Sequence, residues 1–271
     1  MLSEQNICYL MEKAKEIRRT IIQSITNAKS GHIGGSLSST DILVYLYHHH
    51  IRIDHKNPNW EDRDRVVLSK GHACPALYAI LADKGFFDKK ELQNLRKLGS
   101  ILQGHPDMTK VPGIDASTGS LGQGISIANG MAIAAKLDKK DYHIFTIIGD
   151  GECQEGQIWE AAMSAAHYKL DNLTVFLDRN HLQIDGTTEQ IMNIEPIVEK
   201  WKSFGWHVIG IDGHDFVEID KAVKESNTGK PKIIVCHTIK GKGISFLENK
   251  VEFHGKPLTP EQCSKALEEL K

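Results

Sequence analysis

Small, polar and metal-binding side chains follow two apolar segments that lie about thirty residues apart. Gly149-Asp150-Gly151 follows the run 143–148, and Asp178-Arg179-Asn180 follows the run 173–177. Glycines let a backbone approach a phosphate closely, while a carboxylate, an amide oxygen and a main-chain carbonyl suit Mg²⁺ or Ca²⁺. If the two runs are adjacent parallel strands, Asp150 and Asn180 lie side by side at one sheet edge. Gly-Asp-Gly alone is more often a simple turn.

Predicted strands and helices alternate along the chain. Buried strands are predicted at 66–68, 143–148, 173–177, 206–211 and 232–236, and helices at 7–28, 42–50, 122–137, 157–167, 194–204 and 216–226, through 77–81 and after 259. Such alternation implies right-handed βαβ units and an α/β fold: a mostly parallel sheet between two helical layers, in three-layer α/β/α form. No repeat or linker interrupts it, so residues 1–271 are predicted to form a single domain.

Ligands of such sheets bind at the carboxyl ends of the strands. Function is therefore expected in the loops 69–73, 149–156, 178–186 and 238–243, which are rich in Gly, His, Asp and Asn.

Charge and cysteine content exclude several classes of partner and location. Thirty-three basic and 35 acidic residues give a net charge of −2 without long charged blocks, so neither nucleic acid nor a membrane surface is expected as a partner. No apolar run is long enough to cross a bilayer. The five cysteines are far apart and never form C-x-x-C, which favours a reducing cytoplasm.

The pattern of Gly-Asp-Gly, about thirty residues and an asparagine resembles the fingerprint of thiamine diphosphate enzymes. Five further motifs follow the order found in transketolases: Ser30-Gly31-His32, Ser69-Lys70-Gly71-His72-Ala73, Gly104-His105-Pro106-Asp107, Thr118-Gly119-Ser120-Leu121-Gly122-Gln123-Gly124 and His254-Gly255. Nearly the whole chain is thus similar to the N-terminal, diphosphate-binding domain of transketolase. The resemblance implies a thiamine diphosphate-binding fold and transfer of a two-carbon ketol unit from a ketose phosphate to an aldose phosphate.

The resemblance also implies roles for particular residues near the cofactor. It assigns the metal, Mg²⁺ with Ca²⁺ or Mn²⁺ as possible substitutes, to Asp150, Asn180 and the carbonyl of Leu182. It places Gly151, Lys70 and Lys240 near the diphosphate, and Gly119, Ser120 and Leu121 beside the pyrimidine. From the residues alone, each lysine is more readily a solvated surface residue.

Four histidines and one glutamate are implied as catalytic groups: His32, His72, His105, His254 and Glu155. Ketol transfer moves protons on and off sugar oxygens near neutral pH, for which imidazole is suited. His72, His254 and Glu155 are also implied as cofactor contacts. Glu155 is implied at a subunit interface near a proton relay, with stabilisation of a helix dipole as the alternative. The run 48–50, three further histidines, is expected to be structural.

Complete transketolases are more than twice as long as this chain, and the residues that bind the pyrimidine ring lie in their second domain. We therefore expect the partner to be a separate C-terminal transketolase subunit, in an α2β2 assembly. The polar stretch after Thr259 is expected to be a natural end, with a shortened longer protein as the alternative.

Several other functions remain open from the sequence. Alternative enzymes are a specialised transketolase for a sulfonated or branched sugar, a deoxyxylulose-phosphate synthase and one chain of a 2-oxo acid dehydrogenase. A non-catalytic cofactor-binding subunit is the alternative of a different class. A nicotinamide-binding domain fits poorly, because no G-x-G-x-x-G opens the first βα unit.

Overall fold

Five parallel strands form the centre of the molecule in a computed structural model that describes residues 2–271. They are β1 Arg65–Leu68, β2 Ile144–Gly149, β3 Leu173–Arg179, β4 His207–Asp212 and β5 Lys232–His237. Their order in the sheet is β1-β2-β3-β5-β4, and every neighbouring pair is parallel. The predicted strands and their parallel arrangement are confirmed, with each end within about two residues.

Helices cover both faces of this sheet. They are α1 Glu4–Ala28, α2 Ile33–Ser38, α3 Thr40–Tyr45, α4 Cys74–Asp83, α5 Gln123–Leu137, α6 Gly156–His167, α7 Thr188–Ile191, α8 Ile197–Ser203, α9 Phe216–Lys224 and α10 Pro260–Glu269. Alternate residues of β2 enter two different cores. Phe145 and Ile147 pack with α1, α3, α4 and α9, whereas Ile144 and Ile148 pack with α5, α6 and α8. The α/β fold with three layers is therefore confirmed.

The long helix α1 shows how a local pattern becomes a packed element. The Ser3 side chain accepts a hydrogen bond from the Asn6 amide and begins the helix, and Lys29 ends it in the left-handed conformation with φ 50°. Its residues at helical spacing, among them Leu10, Ile17 and Ile21, are fully buried or nearly so. Burial of each such side chain contributes about 1.5–3 kcal/mol.

Several predicted helix boundaries were wrong. The helix predicted at 42–50 is α-helical only as far as Tyr45, and Leu46–His50 form a π-helix instead. The helix predicted at 194–204 begins only at Ile197, because a residue that precedes a proline disfavours helical geometry and Pro196 is the N-cap. The helix predicted at 216–226 ends at Lys224.

Two short helices, α2 and α7, lack the length that gives a periodic pattern and were not predicted. In residues 2–271 no helix has both the length and the apolar character needed to cross a bilayer.

Candidate active site

A cavity of about 430 Å³ lies at the carboxyl ends of β1, β2, β3 and β5. All four of the loops in which function was expected contribute to its wall, together with residues from the start of α2, the segment 105–121 and the segment near 254. The cavity brings together most of the sequence-predicted site residues: His32, Lys70, His72, His105, Gly119, Leu121, Asp150, Gly151, Glu155, Asn180, Leu182, Lys240 and His254. Residues separated by more than two hundred positions therefore share one wall.

Asp150 and Asn180 follow adjacent strands, because Gly149 of β2 is paired in register with Asp178 of β3. Asp150 is buried, and its carboxylate accepts hydrogen bonds from the amides of Gly151 at 2.7 Å and His181 at 2.6 Å. Burial, followed by the negative charge of Asp178, raises the pKa of Asp150, while the Arg179 guanidinium, 3.2 Å away, acts in the opposite direction. A divalent cation at this carboxylate would offset both effects.

The remaining oxygens predicted to bind a metal belong to the loop after β3. The Asn180 amide oxygen accepts a hydrogen bond from the Leu182 amide at 3.1 Å. The Leu182 carbonyl accepts one from the Lys240 ammonium at 2.9 Å, so it already faces a cation. The structure thus places these oxygens on the cavity wall, while their role as ligands remains a prediction.

Two lysines of the cavity, Lys70 and Lys240, are buried. From the residues alone each was interpreted as a solvated surface residue, and that interpretation was wrong. Lys70 and Lys240 are each only 2 % exposed, because the loops after β1 and β5 fold over the strand ends. Lys70 forms an ion pair with the buried Asp178 and donates to the Gly35 carbonyl at 2.9 Å.

Lys240 is different, since no carboxylate in residues 2–271 forms an ion pair with it. Its ammonium donates to the Leu182 carbonyl and to Nδ1 of His254 at 2.8 Å. Burial lowers the pKa of Lys240 to about 8, so it carries an uncompensated positive charge at neutral pH. Such a charge favours an anionic ligand.

Three of the predicted histidines form one cluster on the wall. The ring centroids of His32 and His72 are 5.0 Å apart, and each lies 5.4 Å from that of His254. Burial lowers the pKa of His32 to about 4, of His72 to about 2 and of His254 to about 3. All three rings are therefore neutral at pH 7 and present hydrogen-bonding nitrogens rather than charges.

The remaining predicted residues lie nearer the mouth of the cavity. His105 is exposed and packs against Gly119, where an added Cβ would stand 3.2 Å from the imidazole. Glu155 is exposed and is the N-cap of α6, but its side chain makes no capping bond. Ser120 does not line the cavity, because its side chain faces solvent and Leu121 turns inward.

Sequence reasoning missed two charged residues that organise this wall. The first is Glu152, which is 2 % exposed. It accepts hydrogen bonds from the Ser69 hydroxyl and from the amides of Gly122 at 2.8 Å and Gly149 at 3.0 Å. It thus joins the loops after β1 and β2 to the start of α5. Its position directly after Gly-Asp-Gly was the only available signal.

The second missed residue is Arg96, which adopts the left-handed conformation with φ 62°. Its guanidinium donates to the Ser30 hydroxyl at 3.1 Å and contacts Nδ1 of His32 at 3.4 Å. No pattern around Arg96 distinguished it from a surface arginine, because its partners are far away in the sequence.

The donors of this wall fit a divalent cation and a diphosphate. In residues 2–271 no group of three or more His, Cys, Asp or Glu side chains could hold a metal, so a cation would depend on the mixed oxygen set and on phosphate oxygens. Gly35 forms the floor of the cavity and carries no side chain that would occupy it. An added Cβ would stand 3.6 Å from Nε2 of His72 and 3.9 Å from Nζ of Lys70.

Oxygen donors, buried lysines and neutral histidines lie at the strand ends of this three-layer α/β/α fold. This arrangement suits a cofactor that carries phosphate groups. The family described as "Transketolase, thiamine diphosphate binding domain" matches residues 11–270. The chain therefore belongs to the transketolase family and corresponds to its N-terminal, thiamine diphosphate-binding domain.

Known relatives include separate subunits and much longer chains. The chain is 50 % identical over 271 residues to a protein named 6-deoxy-6-sulfo-D-fructose transketolase subunit SqwG, from a Clostridium species, covering 99 % of this chain and 98 % of the relative. It is 42 % identical to one subunit of the apulose-4-phosphate transketolase of Phocaeicola vulgatus, covering 95 % and 92 % of the two chains. Among solved structures, transketolase of Campylobacter jejuni matches with a TM-score of 0.92 and 37 % identity, over 98 % of this chain. The chain spans only 43 % of that longer protein.

Proposed function

We propose that this chain is the diphosphate-binding subunit of a split transketolase. With a partner chain it transfers a two-carbon ketol unit from a ketose phosphate to an aldose phosphate. The single observation that carries the proposal is the cavity at the strand ends, where the oxygen donors, an uncompensated lysine and three neutral histidines meet. Residues 1–271 act as one domain in this proposal, and the location is the cytoplasm, supported by five unpaired cysteines.

Asp150, Asn180 and the Leu182 carbonyl would hold Mg²⁺, for which Ca²⁺ or Mn²⁺ could substitute. The Gly151 amide, Lys70 and Lys240 would face the diphosphate. Gly119 and Leu121, which flank the exposed Ser120, would face the pyrimidine ring. When bound, thiamine diphosphate supplies a nucleophilic carbon that permits cleavage of the bond next to a ketose carbonyl. The lysines orient the anion, and the oxygen donors hold the cation that neutralises it.

The histidines would handle protons on the sugar oxygens. His32, His72 and His254 are neutral at pH 7, so each ring can donate at one nitrogen and accept at the other. His105, nearer the mouth, would contact the outer part of the sugar. Glu155 at the rim would face the partner chain, where it can join a proton relay.

The partner would be a C-terminal transketolase subunit in an α2β2 assembly. Two relatives that match nearly the whole chain are named as subunits, which supports a separate partner. Exposed apolar side chains also occur in the segment after β3: Ile184 is 65 % exposed, Ile191 44 % and Met192 62 %. Ile184 itself lines the cavity, so a chain docked there would close the site.

A specialised sugar is the second candidate substrate. The name of the 50 % identical relative specifies 6-deoxy-6-sulfo-D-fructose, so a sulfonated ketose is proposed as the alternative to an ordinary sugar phosphate.

The test is reconstitution with a partner chain that carries the missing pyrimidine-binding half. Ketol transfer from a ketose phosphate, a sulfonated ketose and a branched ketose to an aldose phosphate is measured with cofactor and Mg²⁺. The complex should be active, and either chain alone should not be. Strong transfer by this chain alone would contradict the split enzyme, and turnover of pyruvate without any ketose activity would favour another thiamine diphosphate enzyme.

A further inference from the structure

Arg96 connects the two loops that carry His32 and His105. Its guanidinium donates to the Ser30 hydroxyl at 3.1 Å and to the Gly104 carbonyl at 3.4 Å, and Nη2 lies 3.4 Å from Nδ1 of His32. The guanidinium packs directly against Gly104, where an added Cβ would stand 3.0 Å from Cζ. One side chain thus anchors both loops close to their histidines.

The chemistry of this contact determines where the proton of His32 lies. A guanidinium has only donors, so Nδ1 of His32 must accept. A neutral imidazole has a single N–H, and that hydrogen is then on Nε2. Within residues 2–271 no protein group bonds Nε2 of His32, and the ring lines the cavity. The N–H is therefore free to meet a ligand.

The charge on Arg96 reinforces this state. No carboxylate in residues 2–271 forms an ion pair with Arg96, so its positive charge acts directly on the neighbouring rings. After burial, Arg96 is the main influence that lowers the pKa of His32 and of His105. The other titratable groups near His32 are His72, His105, His254 and Lys240, and none of them is an acid.

We propose that Arg96 is a positioning residue that fixes His32 as the tautomer with its proton on Nε2, and so presents a neutral N–H donor to a substrate oxygen in the cavity. The catalytic part of this inference rests on the proposed function, whereas the tautomer does not. A donor held in place before the reaction stabilises charge that develops on a substrate oxygen without reorganisation. His32 then acts first as a hydrogen-bond donor and not as a general base through Nδ1.

The tautomer can be observed directly in the full chain labelled with ¹⁵N-histidine. Long-range ¹H–¹⁵N correlation spectra distinguish protonated from unprotonated ring nitrogens, and the His32→Gln substitution identifies the His32 signals by their loss. We expect an unprotonated Nδ1 and a protonated Nε2 at neutral pH. A proton on Nδ1, or a doubly protonated ring, would overturn the proposal without recourse to any variant of Arg96.

The Arg96→Met variant then tests the cause. Without the guanidinium, His32 should populate both tautomers, and the pKa of His32 and of His105 should rise because a neighbouring cation is lost. Arg96→Lys, which keeps a cationic donor, should retain most of the Nε2–H form. Arg19→Met is the matched control, since Arg19 is a half-buried arginine that donates to the Leu267 carbonyl at 3.1 Å, away from the cavity. Unchanged His32 signals in folded Arg96→Met would overturn the proposal.

Kinetics of the reconstituted complex separate positioning from simple loop anchoring. Loss of one fixed donor should lower kcat of Arg96→Met about 10- to 100-fold with little change in KM. A change in KM alone would indicate loop anchoring and overturn the catalytic part. If the wild-type complex had no ketol transferase activity, the proposed function would fail while the spectra still decided the tautomer.

Discussion

Two groups of three histidines differ in what surrounds them, although burial lowers the pKa of histidines in both. The first is the site cluster of His32, His72 and His254, and the second is the π-helical run His48–His50. Burial lowers the pKa of His32 to about 4 and that of His48 also to about 4. A lowered histidine pKa therefore does not by itself mark a functional site.

The neighbouring charges distinguish the two groups. The site cluster faces Lys70, Lys240 and Arg96, and these cations add to the effect of burial. In the π-helical run, His48 lies 3.6 Å from an Asp83 carboxylate oxygen and His49 lies 3.7 Å from one of Asp220. In residues 2–271 no carboxylate lies within ion-pair distance of a ring of the site cluster, and neither Lys240 nor Arg96 forms an ion pair, so this cluster favours an anionic ligand. His48 also lies near the cation of Lys84, but His48 and His49 each face an acid within the fold.

The largest expected effect comes from Asp150→Asn. The variant removes the carboxylate from the proposed metal site, so Mg²⁺-dependent affinity of the complex for thiamine diphosphate should fall on the order of 100-fold or more, ~2.7 kcal/mol. Calorimetric titration measures it. Asp220→Asn is the control from the second histidine group, because Asp220 is equally buried and is likewise ion-paired, with Lys224, but does not line the cavity. Equal affinities for both variants would refute the metal assignment.

Lys240→Met tests the cationic character of the site cluster. Loss of this uncompensated charge should weaken diphosphate binding about 10- to 100-fold, and the pKa of His254 should rise, because after burial Lys240 contributes most to lowering it. NMR titration and calorimetry measure the two effects. Lys232→Met is the control: that lysine is also 2 % exposed but donates to carbonyls at the end of α9, including Val223 at 2.8 Å. It should reduce stability and leave cofactor affinity unchanged.

Gly35→Ala tests whether the floor of the cavity must stay open. The added methyl would make ordinary contacts, 3.6 Å from His72 and 3.9 Å from Lys70, so the fold should tolerate it. Cofactor affinity should nevertheless fall, by no more than about tenfold, since the methyl takes up ligand space. Gly210→Ala in β4 is the control, because an added Cβ there meets nothing within 4 Å. A drop in melting temperature without a change in affinity would contradict this assignment.

The last prediction concerns the stability of His48 and His32 variants in acid. Between pH 6.5 and about 4 the unfolded chain protonates each histidine while the folded chain does not, so the free energy of unfolding falls as the pH falls. Between pH 7 and 4.5, the free energy of unfolding of His48→Gln should fall by less than that of the wild type, the difference being on the order of 2–3 kcal/mol. His32→Gln should show part of this difference. Urea unfolding at the two pH values measures both.

Activity of the reconstituted complex then distinguishes these two variants. It should survive His48→Gln and fall in His32→Gln. Loss of activity in His48→Gln would show that the second histidine group also has a functional role, and the comparison of the two groups would fail.

Local patterns were sufficient for much of the fold. Short apolar runs located all five strands. The expectation that Asp150 and Asn180 lie side by side followed from a βαβ unit, and the pairing of Gly149 with Asp178 confirms it. Most predicted site residues then share one cavity because parallel strands end at one edge of a sheet. Helix ends were predicted less well, because Pro196 and the π-helical turn interrupt the apolar spacing of an α-helix.

The order of the strands and helices and the identity of the strand-end loops follow from local patterns, because apolar spacing and turn residues act over a few neighbouring positions. The burial of Lys70 and Lys240, the bridging role of Glu152 and the contact of Arg96 with His32 across 64 positions arise only in the folded chain. Electrostatic compensation depends on distance in space and on exclusion of water, and neither quantity can be read from neighbours along the chain.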